Sequence, residues 1–171
     1  GDVEPLRDDY PILKGVAEFF AASLVEDPRT GYLVTSPSNS PENAHQPGVS
    51  IAAGPTMDNS ILRDLFHAVA ESSRILNVDA DFRERVESLS RRLPPLKIGA
   101  AGQLQEWQFD WDLGAPEMDH RHISHLYALH PGNEISPLAT PEFTDAALKT
   151  LELRGDDGTG WSLAWKINFW A

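Results

Sequence analysis

The chain has 171 residues, 41% of them apolar and 23% charged, enough for one buried core and no argument for a second domain. Its 26 acids against 14 bases leave a formal charge of −12, a field that repels nucleic acid and anionic membrane surfaces and is indifferent to a neutral ligand. With no cysteine, disulfides and thiolate metal sites are excluded.

The N-terminal residues 1–9 are acidic and contain a proline, unlike a signal peptide, and nothing in the composition assigns a compartment. Tyr10–Asp27 reads as a helix, with Pro11 at its first position and Ile12, Leu13, Val16, Phe19, Phe20 and Leu24 forming an apolar stripe. The most apolar run, Gly15–Val25, is interrupted by Glu18 and is too short to span a bilayer. Asp27-Pro28 and Thr30-Gly31 mark a stop and a turn, and Tyr32–Thr35 a short extended piece. The segment TSPSNSPENAHQPG that follows is rich in Pro, Ser and Asn, and irregular structure is expected there. Glu42 is its single acid, in a stretch otherwise free of charge from Thr30 to Met57.

Thr56 is placed to cap a second helix, in which Met57, Ile61, Leu62, Leu65, Phe66 and Val69 keep helical spacing as far as Leu76. His67 lies beside that stripe and reads as a structural histidine. Asp79 or Asp81 opens a third helix with Phe82, Val86, Leu89 and Leu93 on one face, ended by Pro94-Pro95. Thr140-Pro141-Glu142 is a start signal of cap, proline and first-turn acid; that helix runs to Arg154 and closes at Gly155. A last helix follows Thr159-Gly160, with Trp161 and Trp165 on a wide apolar face that continues to Ala171 without a cap. The expectation is an all-α protein of about six helices, with two long loops (about 31–55 and 97–121) and no strand pair, as in a barrel whose loops build a site at one end.

The loop Gly102–Asn133 carries Trp107, Phe109, Trp111, five acids and four histidines, and helical spacing appears only from Ile123 to Leu129. Long loops of this kind in compact domains are functional or disordered, and the aromatic content argues for function. Within it, DHRHISH holds His120, His122 and His125. Three readings stay open for them: zinc ligands, although Arg121 would repel the cation; helix-end and loop-carbonyl partners; or ligand recognition, with Arg121 supplying a donor fork and His122 an adaptable one. Carboxylates with aromatics in loops also suit sugars, which offer hydroxyls to acids, Arg and His, and C–H faces to tryptophan. Glu42 suits a general acid, since nearly charge-free surroundings would desolvate it.

Taken in order, SPSNSPEN (Ser36–Asn43), TMDNSILRDLF (Thr56–Phe66), LPPLKIGAAGQLQEW (Leu93–Trp107), HRHISHLYALHPG (His120–Gly132) and GTGWSLAWKINFWA (Gly158–Ala171) resemble the inverting α-L-fucosidases of glycoside hydrolase family 95. The resemblance covers nearly the whole chain. It implies that residues 1–171 are part of a single (α/α)6 catalytic domain, truncated at both ends and completed by the remainder of that domain. It makes Glu42 of the S-P-E motif the catalytic acid, and Arg121 and His122 the substrate-binding pair, without cofactor or metal. The substrate implied is a fucosylated oligosaccharide or glycoconjugate cleaved at terminal α-L-fucose, α-1,2 linkages being expected and L-galactose an alternative. The family's base is a water held by asparagine amides and activated by an aspartate. Neither motif occurs here, so the piece alone is expected to be inactive. Two other readings compete: a helical carbohydrate-binding or interaction segment without catalysis, and a metal-dependent hydrolase using His120, His122 and His125.

Overall fold

The computed structural model describes residues 3–171. Its elements run α1 (Val3–Ser23), β1 (Val25–Glu26), β2 (Leu33–Val34), β3 (Ser38–Asn39), β4 (Ile51–Ala52), α2 (Thr56–Leu76), α3 (Ala80–Ser90), α4 (Pro141–Arg154) and α5 (Gly160–Trp170), with short 3-10 turns at Asp112–Gly114 and Ser124–Ala128. The described residues are thus mostly helical, as expected, but hold five α-helices. The segment with helical spacing after Ile123 forms the second 3-10 turn instead. Two antiparallel strand pairs, β1 with β2 and β3 with β4, were not anticipated. No described helix is long and apolar enough to cross a membrane.

The chain divides into two compact units, Gly1–Thr35 with Leu62–Leu93, and Ser36–Ile61 with Pro94–Ala171. In the first, Tyr10, Ala17, Leu33, Leu62, Phe66 and Val86 form a closed core. The stripe expected on α1 splits in two. Leu13, Phe20 and Leu24 pack on this core, whereas Ile12 and Phe19 are exposed. Pro11 lies inside α1, because the helix begins a full two turns earlier than its apolar pattern. Asp79 does sit at the start of α3, yet in the left-handed region (φ 52°), where its side chain makes no cap bond. Its carboxylate instead accepts from Tyr10 Oη (3.1 Å) and Lys14 Nζ (2.9 Å). His67 is exposed.

The second unit is built on α4. Ala146, Ala147 and Leu151 pack with Leu96, Leu104, Ile123 and Leu126. The extended chain before Glu106 is stitched to this helix: Leu104 N donates to Thr150 Oγ1 (3.0 Å) and Ala146 O (3.2 Å). Thr56 opens α2 but does not cap it with its side chain, its hydroxyl donating to Gln105 O (2.6 Å) and its backbone N–H to Glu106 O (3.0 Å). At the far end, Gly155 closes α4 with φ 63°, a conformation glycine adopts without strain. Lys166 of α5 is 4% exposed, and its ammonium donates to Gly155 O and Asp157 O, both at 2.7 Å. It therefore ties α5 to the loop that ends α4. Lys166→Met, which keeps the stem and removes the charge, should cost about 1.5–3 kcal/mol, read as a lower denaturant midpoint at unchanged slope.

Candidate active site

All groups described here belong to the second unit. The proline-rich segment after Thr35 is not a free linker. Ser38–Asn39 pairs with Ile51–Ala52, Gln46 bridges Val49, and Ser38 Oγ donates to Asp58 (2.7 Å). At its tip Asn43 N donates to Ser40 O (2.8 Å), closing a turn over Pro41 and Glu42, and Ser124 Oγ holds Pro41 O (2.7 Å). A turn pinned at both ends presents Glu42 outward. Its side chain is 61% exposed, so the desolvation expected from its charge-free sequence neighbours does not occur. The neighbours in space decide otherwise: Arg121 donates to Glu42 Oε2, and His122 Nε2 lies 3.6 Å from the same oxygen. Three residues singled out in the sequence, Glu42, Arg121 and His122, are therefore brought together across 79 positions of chain.

His122 N donates to His120 Nδ1 (3.1 Å), and the two rings stack at 5.4 Å. Burial lowers the basicity of both. Arg154 and Arg121 lower His120 further, and Arg121 opposes the effect of Glu42 on His122, so each ring is neutral at pH 7. On the other side of His122 stands the Trp161 indole, 4.6 Å between ring centres and 45% exposed. Ser162, next on α5, donates to Arg121 O (2.7 Å) and so fixes the helix start against the Arg-His pair. A groove of about 310 Å³ opens beside Arg121, His122 and Trp161, continuing over Tyr127, Trp165 and Phe169.

Beneath this surface lies a carboxylate that in the sequence is only one of the five acids of its loop. Glu106 is fully buried. Its Oε1 accepts from Ser40 Oγ (2.6 Å), and its Oε2 accepts from Asn43 Nδ2 (3.1 Å) and from the Arg154 guanidinium. Arg154 also donates to His120 O (3.4 Å). Burial by itself would favour the protonated form, but the Arg154 charge and the bonds from Ser40 and Asn43 outweigh it and hold Glu106 ionised, His125 adding to them only when it is itself protonated. His125 is itself pushed down to about 4 by complete burial, so at neutral pH it is uncharged and Arg154 supplies the counter-charge. A signal for Arg154 existed in the sequence. Ala147, Leu151 and Arg154 fall at i, i+4 and i+7, so the arginine continues the buried stripe of α4.

The histidines of DHRHISH do not converge on one point: His120 and His122 stack together, while His125 Nδ1 lies 3.9 Å from Glu106. Among the described residues, the metal-like spacing belongs instead to Glu106, Asp112 and His125, whose donor atoms lie within 4.8 Å of one another. That set is a poor cation site, because the Arg154 guanidinium already occupies Glu106 and burial pushes Asp112 up to about 7. Asp112 Oδ1 accepts from Glu106 N (2.9 Å), whereas its Oδ2, His125 Nδ1 and Trp107 Nε1 have no protein partner and border a cavity of about 10 Å³.

Taken together, an outward carboxylate, an arginine, neutral histidines and an exposed indole on a helical frame form a polar–aromatic site suited to a hydroxyl-rich neutral ligand. The description "Glycosyl hydrolase family 95 catalytic domain" matches residues 1–171, and the chain belongs to that family. It is similar to "Alpha-L-fucosidase 2" of Arabidopsis thaliana, 36% identical over 170 residues, covering 96% of this chain and 20% of that protein. It is likewise similar to "Probable alpha-fucosidase A" of Aspergillus niger, 37% identical over 173 residues, covering 95% of this chain and 21% of the relative. The chain thus spans about a fifth of the length of these curated relatives.

The site carries its own pH signature. Between the ordinary carboxyl value of 3.8 and the folded value near 7, the folded protein holds a proton on Asp112 that the unfolded chain releases. Stability contributed by this group therefore falls as pH rises through that window, by at most about 4 kcal/mol. His125 acts in the opposite sense, losing stability as pH drops from 6.5 towards 4. Asp112→Asn keeps the acceptor for Glu106 N and removes the titration. Its melting temperature relative to the parent should rise steadily from pH 4 to above pH 7; a pH-independent difference would show that Asp112 is ionised throughout.

Proposed function

We propose that the protein containing this chain is a glycoside hydrolase that releases terminal α-L-fucose from glycans, with inversion and with α-1,2 linkages as its substrates. In this reading Glu42 is the general acid, Arg121 and His122 bind the sugar, and the chain forms part of an (α/α)6 barrel whose remainder supplies the base and its water. The observation that carries it is the pairing of an outward Glu42 with Arg121 and His122 on one surface. The α-fucosidase relatives supply the sugar.

The chemistry follows from those contacts. A carboxylate held by a guanidinium accepts hydrogen bonds; to act as an acid it must carry a proton. A bound fucose supplies both changes this requires. Its hydroxyls take over Arg121 N–H groups, and its ring displaces water from Glu42, so the neutral carboxyl is favoured next to the glycosidic oxygen. His122, uncharged, can accept from one sugar hydroxyl or donate to another without adding a competing cation. The exposed face of Trp161 offers an apolar surface to sugar C–H groups. Once protonated by Glu42, the leaving oxygen departs as an alcohol, while a water on the opposite face attacks the anomeric carbon. The formal charge of −12 does not oppose a neutral glycan.

In the full-length enzyme, Glu42→Gln should lower kcat by several orders of magnitude on a glycosyl fucoside while binding survives. The loss should shrink on aryl fucosides whose leaving group needs no proton; equal losses on both would remove Glu42 from the acid role. Proton NMR of the first-formed sugar should show β-L-fucose, and the α-anomer would contradict inversion.

Arg121→Lys keeps the charge but replaces the planar fork by a point ammonium. Each directed bond lost should cost about 1.5–3 kcal/mol, seen as a lower kcat/KM for every fucoside. Wild-type kcat/KM in this variant would dismiss Arg121 as a sugar ligand.

A further inference from the structure

We infer that Glu106 is the positioning residue of this site, holding the acid and the sugar-binding pair in one geometry; this rests on the roles proposed above for Glu42, Arg121 and His122. The carboxylate touches neither solvent nor Glu42. It grips the two residues that bracket the acid, Ser40 and Asn43, with one oxygen each (2.6 and 3.1 Å). The intervening dipeptide Pro41-Glu42 is the tip of the turn closed by Asn43 N on Ser40 O. Glu42 is therefore flanked on both sides by residues whose side chains are anchored to a single buried group, while its own side chain is left exposed beside Arg121.

The second arm leads to the sugar-binding pair. Arg154 is bonded to Glu106 Oε2 and donates to His120 O, the carbonyl immediately before Arg121. His125, three residues beyond His122, lies against the same carboxylate at 3.9 Å. The segment 120–125 is thus tied to Glu106 at its start through the Arg154 guanidinium, while at its end the buried His125 ring lies beside the same carboxylate. Serine and asparagine on one arm and arginine on the other require an acceptor with two oxygens and full negative charge. A glutamine could accept through one oxygen alone, and its amide would confront Asn43 or Ser40 with a second donor. A buried ion pair by itself is weak evidence for stability, but the registry it imposes on two loops is a known use of such pairs. General acid catalysis makes that registry matter, because a misplacement of about 1 Å at a reacting group can cost on the order of 100-fold.

The inference predicts a signature that mere loss of stability lacks. In the full-length enzyme, Glu106→Gln should depress kcat on a glycosyl fucoside by about 10- to 100-fold and change an activated aryl fucoside much less, following Glu42→Gln in pattern. Asn43→Ala removes only the acid-side bond and should show the same leaving-group dependence, smaller in size, with KM little altered. Arg154→Lys loosens the other arm and should raise KM for both substrates more than it lowers kcat. Should Glu106→Gln fail to fold, Asn43→Ala and Arg154→Lys carry the test alone. Losses independent of the leaving group in the Glu106 and Asn43 variants, with only a lower melting temperature, would reduce Glu106 to a structural residue. That result beside a leaving-group-dependent Glu42→Gln overturns the inference and leaves the proposed function standing; no dependence in Glu42→Gln overturns both.

Discussion

Burying an ionised carboxylate costs several kcal/mol unless both oxygens find donors and a cation stands nearby, and Glu106 meets both conditions. The donors come from two separate stretches of chain, the Ser40–Asn43 turn and the end of α4, and meet on a third, the loop that carries Glu106. Satisfying one charge therefore sets the mutual position of loops that have no regular secondary structure to set it. The 102–133 loop is long and would be expensive to order by apolar packing alone. A few buried polar bonds, together with Leu104 stitched to α4 and Trp107 fully buried, order it instead.

The two arginine–carboxylate pairs of this unit make a useful contrast. Arg154 and Glu106 are 6% and 0% exposed, and their pairing is locked by further bonds. Arg121 and Glu42 are 43% and 61% exposed, and water competes for both partners. A buried pair resists rearrangement because separating it strands a charge in a medium of low polarity. An exposed pair contributes little to stability and can exchange partners at little cost. The same two residue types thus supply a rigid foundation in one place and an exposed pair free to exchange partners in another, with only burial to distinguish them.

Protonation in the site is divided along the same line. His125 and Asp112 lie beside Glu106, and burial moves them in opposite directions on the pH scale, so both are neutral in mildly acidic solution and only Glu106 and Arg154 retain charge. Around Glu106 the interior therefore holds one balanced ion pair rather than four competing charges. Stacked His120 and His122, held neutral by burial and neighbouring guanidinium groups, add no positive charge beside Arg121.

Much of this molecule is written locally. The mostly helical class, the start of α4 at Pro141, its stop at Gly155 and the span of α5 follow from spacing and punctuation, because such signals act within a turn or two of chain. The motif blocks that carry the family resemblance also name Glu42, Arg121 and His122 as a group. What local pattern could not supply was any property set by neighbours distant in sequence. The start of α1 seven residues before Tyr10, and the exposure of Ile12 and Phe19, depend on which faces find a partner. The β3–β4 pair forms inside a proline-rich segment because its two-residue strands close a loop, something periodicity cannot register over so short a run. Glu42 looked desolvated because its sequence neighbours are uncharged, yet its neighbours in space are water, a guanidinium and an imidazole. Glu106 is one of five acids in its loop with nothing local to set it apart, and only the tertiary structure, by bringing Ser40, Asn43 and Arg154 to it from up to 66 positions away, allows its burial. Charge and residue type are properties of the sequence; burial and partnership, which decide what a charge does, belong to the fold.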